Sequence, residues 1–213
     1  MTNVTNKWID ITQPFRNTIA TWPGDTPFQF QVAFSKKETG SVNIGRFSTS
    51  VHTGTHADAP YHFDDTAPTI EQLDINVFIG EALVIDFSNN KEICSDDVKS
   101  INFHGVKRVL FKLHSDVDIE NFPERVPVIH PDIVPILKEK GVILMGVDCP
   151  SVDPLDSKSL ETHHALYHHG IHIIENLLLK DITPGLYEFV GLPLKIEGAD
   201  GAPVRAVIKK IDK

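Results

Sequence analysis

The chain has 213 residues, of which 41% are hydrophobic and 23% charged, with a formal charge of −9 when histidine is counted as neutral. That length and balance suit a globular protein with a real core, and they exclude disordered, collagen-like and coiled-coil chains. The acidic balance also argues against nucleic acid or an anionic membrane as partner, because both need clustered Lys and Arg.

The opening MTNVTNKWIDITQPF has no basic stretch followed by an apolar one, and no window resembles a membrane span, so a cytoplasmic protein is expected. Short runs rich in β-branched and aromatic residues then predict strands at 28–34, 44–53, 81–87, 108–113, 142–148, 170–179, 187–194 and 203–211. Helices are predicted over 95–101 from a Ser/Asp cap signal, around 133–140 with a stop at Gly141, and over 156–169 with Asp156 as the cap candidate. Pro135 leaves the start of the second helix open. The class is mixed α/β with strands dominant, and the scatter of Pro and Gly as turn markers predicts a single domain, 1–213. Cys94 and Cys149 form no CxxC motif, so any metal would be held by imidazole and carboxylate.

Histidine is the unusual residue, with 11 copies. Residues 51–63, VHTGTHADAPYHF, gather His52, His56, Asp58 and His62. Gly54, two threonines and Pro60 argue against a helix here. On a strand, side chains alternate, so His52, His56 and Asp58 share one face while Val51, Thr53, Thr55 and Ala57 take the other. Two imidazoles and a carboxylate match the protein complement of a catalytic zinc site, whose fourth position stays open. Pro60 would end the strand and let His62 approach from a loop, a position suited to a general acid/base.

A second group, His163, His164, His168, His169 and His172, precedes Glu175. On a helix His163 shares a face with Leu160, Leu166 and Tyr167, so it should point inward, while His164 sits on a more polar face. In the following strand Ile171, Ile173 and Glu175 alternate onto one face. A carboxylate on an apolar face requires a compensating charge, which a cation supplies. His163 and Glu175, sharing Asp58 with the first group, give a second metal three protein ligands, so the ligand set fits two zinc ions.

The motif HTGTHADAPYH resembles the signature HxGTHxDxPxH of the cyclase-like metal-dependent hydrolase family, with WPGD at 22–25, GVDCPSVDPLD at 146–156, HHALYHHGIHIIEN at 163–176 and DGAPVRAVI at 200–208 extending the likeness along the chain. The resemblance implies a swivelling β/β/α-type fold, usually a homodimer, and points to those members that hydrolyse N-formyl-L-kynurenine to L-kynurenine and formate in tryptophan degradation. It implies His52, His56 and Asp58 as ligands of one zinc, Asp58 as a bridge, His163 and Glu175 as ligands of the second, and a bridging hydroxide as nucleophile. It further implies His62 as proton donor/acceptor and Trp22 as a substrate contact. Other amide or cyclic-amide hydrolases of the isatin type share the metal site and form the alternative within the family. A histidine-rich metal carrier would need neither a carboxylate bridge nor a proton-transfer partner, and a dimerisation module leaves the first group without a cause.

Overall fold

The computed structural model describes residues 7–114 and 116–211. Its strands are β1 (Ile9–Asp10), β2 (Gln29–Phe34), β3 (Ile44–Ser48), β4 (His56–Asp58), β5 (Ile79–Asp86), β6 (Glu92–Ile93), β7 (Arg108–Lys112), β8 (Val128–Ile129), β9 (Leu144–Val147), β10 (His172–Glu175), β11 (Gly185–Val190), β12 (Gly201–Pro203) and β13 (Val207–Lys210). The helices are short: α1 (Lys36–Thr39), α2 (Ser95–Val98), α3 (Val134–Glu139) and α4 (Glu161–His168). The strand-dominated α/β class read from the sequence is what the chain adopts. No described helix is long and apolar enough to cross a membrane.

Nine strands form one sheet in the order β1-β13-β11-β5-β7-β9-β10-β4-β12, while β2-β3 and β6-β8 pair separately. Its centre, β5-β7-β9-β10, is parallel. Parallel neighbours need crossovers, and α2, α3 and α4 lie in the three that join these strands. Strands covered on both faces carry continuous apolar runs, which is why RVLFK and LMGV do not alternate. Val109, Phe111, Met145, Val147 and Ile173 pack towards the helices with Ile133, Leu137 and Leu166. Their neighbours Leu110, Leu144 and Ile174 face the other way, onto Tyr187, Phe189 and Ile208.

The sheet curls. β12 lies at one end of the strand order and β13 beside the other end, yet only residues 204–206 separate them in sequence. Such a link spans at most about 14 Å, so the two ends must approach. The chain just after β1 bonds across the gap to the chain just after β10: Leu178 N–H donates to Ile11 O, and Thr12 bridges to Leu177. The result is a half-closed barrel filled by the second apolar cluster. Gly146 in β9 allows the filling, since a Cβ there would lie 2.7 Å from side-chain carbons of Leu110 and Leu177.

Four local expectations change. The strand expected over 44–53 stops at Ser48, and a turn through Gly54, at φ +64, leads to β4, so His52 lies on a loop. The strand expected over 203–211 divides into β12 and β13, because its two halves pair with opposite ends of the curled sheet. Helix α4 begins at Glu161 after Leu160 at φ +46, and its first free N–H groups, Thr162 and His163, donate to Asp153; Asp156 is not the cap. In α2 the cap is Cys94, whose backbone N–H donates to Asp97. Pro135 sits in the first turn of α3, where its missing N–H has no intrahelical partner to lose.

Candidate metal centre

β4 and β10 build the centre. Their antiparallel register sets Asp58 opposite Ile173 and Glu175 opposite His56, so His56, Asp58 and Glu175 project from one face. Ala57 projects from the other, into the barrel core. The turn through Gly54 brings His52 to the same place, and α4, anchored by Asp153, presents His163 from above the sheet. His56, Asp58, His163 and Glu175 are all buried.

Two triads share Asp58: His52, His56 and Asp58, then Asp58, His163 and Glu175; a third group, His52, His62 and Asp200, adjoins them. Asp58 Oδ1 lies 2.9 Å from His52 Nδ1 and 3.3 Å from His56 Nε2, while Oδ2 lies 3.5 Å from His163 Nε2. Glu175 Oε2 is 3.5 Å from His56 Nε2, and Oε1 is 3.6 Å from His163 Nε2. Several of these separations are long for hydrogen bonds. Ligand atoms about 2.0–2.2 Å from a tetrahedral ion stand roughly 3.3–3.6 Å apart, and the four spacings to His56 and His163 agree with that, while His52 and Asp58 stand at hydrogen-bond distance. Asp58 Oδ2 is buried with no hydrogen-bond partner, a cost that a cation would remove. The residues present therefore fit metal ions.

The rear atoms of the rings are tied down. His56 Nδ1 lies 2.8 Å from Gly54 O, and His163 Nδ1 lies 2.6 Å from Asp153 Oδ2. Such partners orient metal-binding imidazoles and leave the opposite nitrogen free. Glu175 Oε1 also accepts from Val152 N–H at 2.9 Å. Burial and the Asp58 charge push the Glu175 carboxyl well above the usual range. Burial alone would raise Asp58 too, but the imidazoles of His163, His52 and His56 around it hold it well below its usual value. Burial disfavours a charged His163, yet Asp153 and Asp58 push it up to about 10. The buried acids thus draw protons to the site, onto imidazole and onto Glu175 itself, when no ion is bound.

The centre opens into a cavity of about 870 Å³. His62 follows Pro60 in a short 3₁₀ turn and lines the cavity, its ring 4.0 Å from that of His52. Trp22 lines the same space and meets Phe122 edge-on at 5.1 Å. Arg125 is the one Lys or Arg among the described lining residues. Six of the seven residues singled out in the sequence, Trp22, His52, His56, His62, His163 and Glu175, therefore line one space, and Asp58 lies buried behind them against His52, His56 and His163. His164 lies outside both triads, half-buried with its ring 5.2 Å from Phe63.

Three functional candidates escaped the sequence reading. Asp153 lies within the GVDCPSVDPLD segment, where only its distance from α4 concealed the cap. Asp200 opens DGAPVRAVI, and nothing in the spacing links it to His52 and His62, which it contacts at 2.9 and 3.3 Å. Asp148, buried at the cavity wall, accepts from Leu113 and His114 N–H.

The curled sheet and paired triads accord with a match to the family model described as "Putative cyclase" over residues 9–154, and the chain belongs to this family. A solved structure described as a potential metal-dependent hydrolase with cyclase activity aligns with a TM-score of 0.81 at 26% identity, covering 97% of this chain and 99% of that one. An isatin hydrolase bound to thioisatinate aligns with a TM-score of 0.82, covering 98% and 94%, but at 18% identity it shares the fold alone. Among named relatives, kynurenine formamidase of Bacillus cereus is 51% identical over 207 residues, 97% of this chain and 99% of that protein.

Proposed function

We propose that this protein is a metal-dependent kynurenine formamidase, which hydrolyses N-formyl-L-kynurenine to L-kynurenine and formate in tryptophan degradation. The observation that carries the reading is the 51% identity with a kynurenine formamidase along 97% of the chain. The site supplies the chemistry such an enzyme needs. His52, His56 and Asp58 would hold one zinc ion, and Asp58, His163 and Glu175 a second, with Asp58 bridging. Ions held this way supply Lewis acidity and a water acidic enough to act as nucleophile near neutral pH.

The chain's own groups do the rest. Trp22 and Phe122 offer flat apolar surface for the aryl ring. Arg125 offers the counter-charge for the amino-acid carboxylate at the far end of the substrate. In the reaction the formyl C–N bond breaks, the formyl carbon gains the oxygen of water, and the arylamine nitrogen gains a proton. His62 lines the cavity beside the centre and delivers that proton.

The 213 residues act as one catalytic domain, and two copies pair. The β2-β3 hairpin supports pairing, since Phe30, Val32, Phe34, Ile44 and Phe47 are all exposed on it. The unpaired thiols Cys94 and Cys149 are in keeping with a cytoplasmic enzyme. Elemental analysis of the purified protein, joined to hydrolysis assays with N-formyl-L-kynurenine and isatin before and after chelation, tests the reading. Chelator-sensitive turnover of the formamide is expected. Turnover of isatin alone would replace formamidase by cyclic-amide hydrolase.

A further inference from the structure

Asp200 lies at the start of the strand that completes the site. Its carbonyl accepts from Ala59 N–H at 2.9 Å, and the next residue, Gly201, stands opposite Asp58 in the β12-β4 register. The backbone on both sides is thus tied to the strand that carries Asp58. A single carboxylate oxygen, Oδ2, lies 2.9 Å from His52 Nε2 and 3.3 Å from His62 Nδ1. The remaining nitrogen of His52, Nδ1, faces Asp58. Gly201 makes room for the arrangement, since a Cβ there would stand 2.9 Å from His52 Cε1 and 3.0 Å from Ala57 O.

An ionised carboxylate only accepts hydrogen bonds, whereas a neutral imidazole has one N–H and one lone pair. His62, with only Nδ1 turned to a carboxylate, must place its hydrogen there, and His52, which turns both nitrogens to carboxylates, must place its one hydrogen on Nε2 once Nδ1 serves as a metal ligand. We propose that Asp200 is a positioning residue that fixes the orientation and tautomer of two histidines at once. His52 carries its hydrogen on Nε2 and keeps Nδ1 for the metal centre. His62 carries its hydrogen on Nδ1 and keeps Nε2 for exchange with the substrate. One acid therefore aligns the metal ligand and the proton shuttle, and it holds their rings 4.0 Å apart.

The role of His62 rests on the formamidase reading; the tautomers do not. Long-range ¹H–¹⁵N spectra of the zinc-loaded enzyme, labelled at histidine, are expected to show His62 as the Nδ1–H tautomer and to lose that state in Asp200→Asn. Loss of one outer partner typically costs about 10–100-fold in metal affinity or activity. At saturating zinc, kcat of Asp200→Asn should fall by about that factor with KM within about twofold, and Asp200→Glu should recover part of it. In a His62→Ala background the same change should cost less, because the part of its effect that runs through His62 is already gone and only the effect on His52 remains.

An unchanged His62 tautomer in Asp200→Asn, or a fully additive loss in the double variant, would overturn the proposal. So would a third tightly bound zinc ion that disappears with Asp200, which would make His52, His62 and Asp200 a metal site of their own. A parent enzyme with the expected tautomers and no turnover of N-formyl-L-kynurenine would refute the substrate reading and leave Asp200 in place.

Discussion

Asp148 is a buried acid whose titration should be visible in the stability of the whole protein. It is 1% exposed, and burial pushes its carboxyl up to about 7 from an ordinary 3.8, against the pull of N–H donors from Leu113 and His114. Between those values the native state keeps a proton that the unfolded chain has released. Stability therefore falls as pH rises from about 4 to about 7 and levels off beyond. About three pH units at 1.36 kcal/mol each amount to roughly 4 kcal/mol. Asp148→Asn removes the titration but turns an amide N–H towards the His114 N–H, a pH-independent loss of about 1–2 kcal/mol. The variant should match or fall slightly below wild type near pH 4–5, and exceed it by about 2–3 kcal/mol at pH 8. Urea unfolding at intervals across that range reads the difference, with chelator present so that protons released by metal ligation do not enter. Parallel stability curves with a constant offset would show that burial does not raise the Asp148 carboxyl.

His62→Ala should retain its metal in elemental analysis and lose about 10²–10⁴ in kcat, the usual contribution of one general acid/base. Asp58→Ala should lose both ions together, which equilibrium dialysis against zinc reads directly. His163→Ala should weaken the second site while His164→Ala leaves metal content unchanged; the reverse pattern would exchange their roles. Replacing Phe30 and Phe47 together by Glu should convert a dimer to a monomer in light scattering, since both charges would enter the apolar face of the hairpin.

Sequence alone determined the class of the fold and most of the site. Parallel core strands are apolar on both faces, so RVLFK and LMGV were legible without partners, and two imidazoles and an acid within 51–63 are too specific a set for a surface loop. The helix period turned His163 inward and left His164 outside, as the structure shows. The geometry that joins these residues was not legible. Periodicity describes one element at a time, whereas the second triad exists because β10 pairs with β4 and brings Glu175 to His56 and Asp58.

Tertiary structure also decided where elements end. A strand for His52 was consistent with its local sequence, but Gly54 at positive φ turns the chain and delivers the ring from a loop. The run at 203–211 looks continuous until sheet closure sends its halves to opposite ends of the strand order. Asp153 and Asp200 were beyond reach for the same reason. Asp153 reaches His163 across the ten residues of the loop into α4, and Asp200 reaches His52 across 148 residues because β12 pairs with β4; neither contact is encoded in a local pattern.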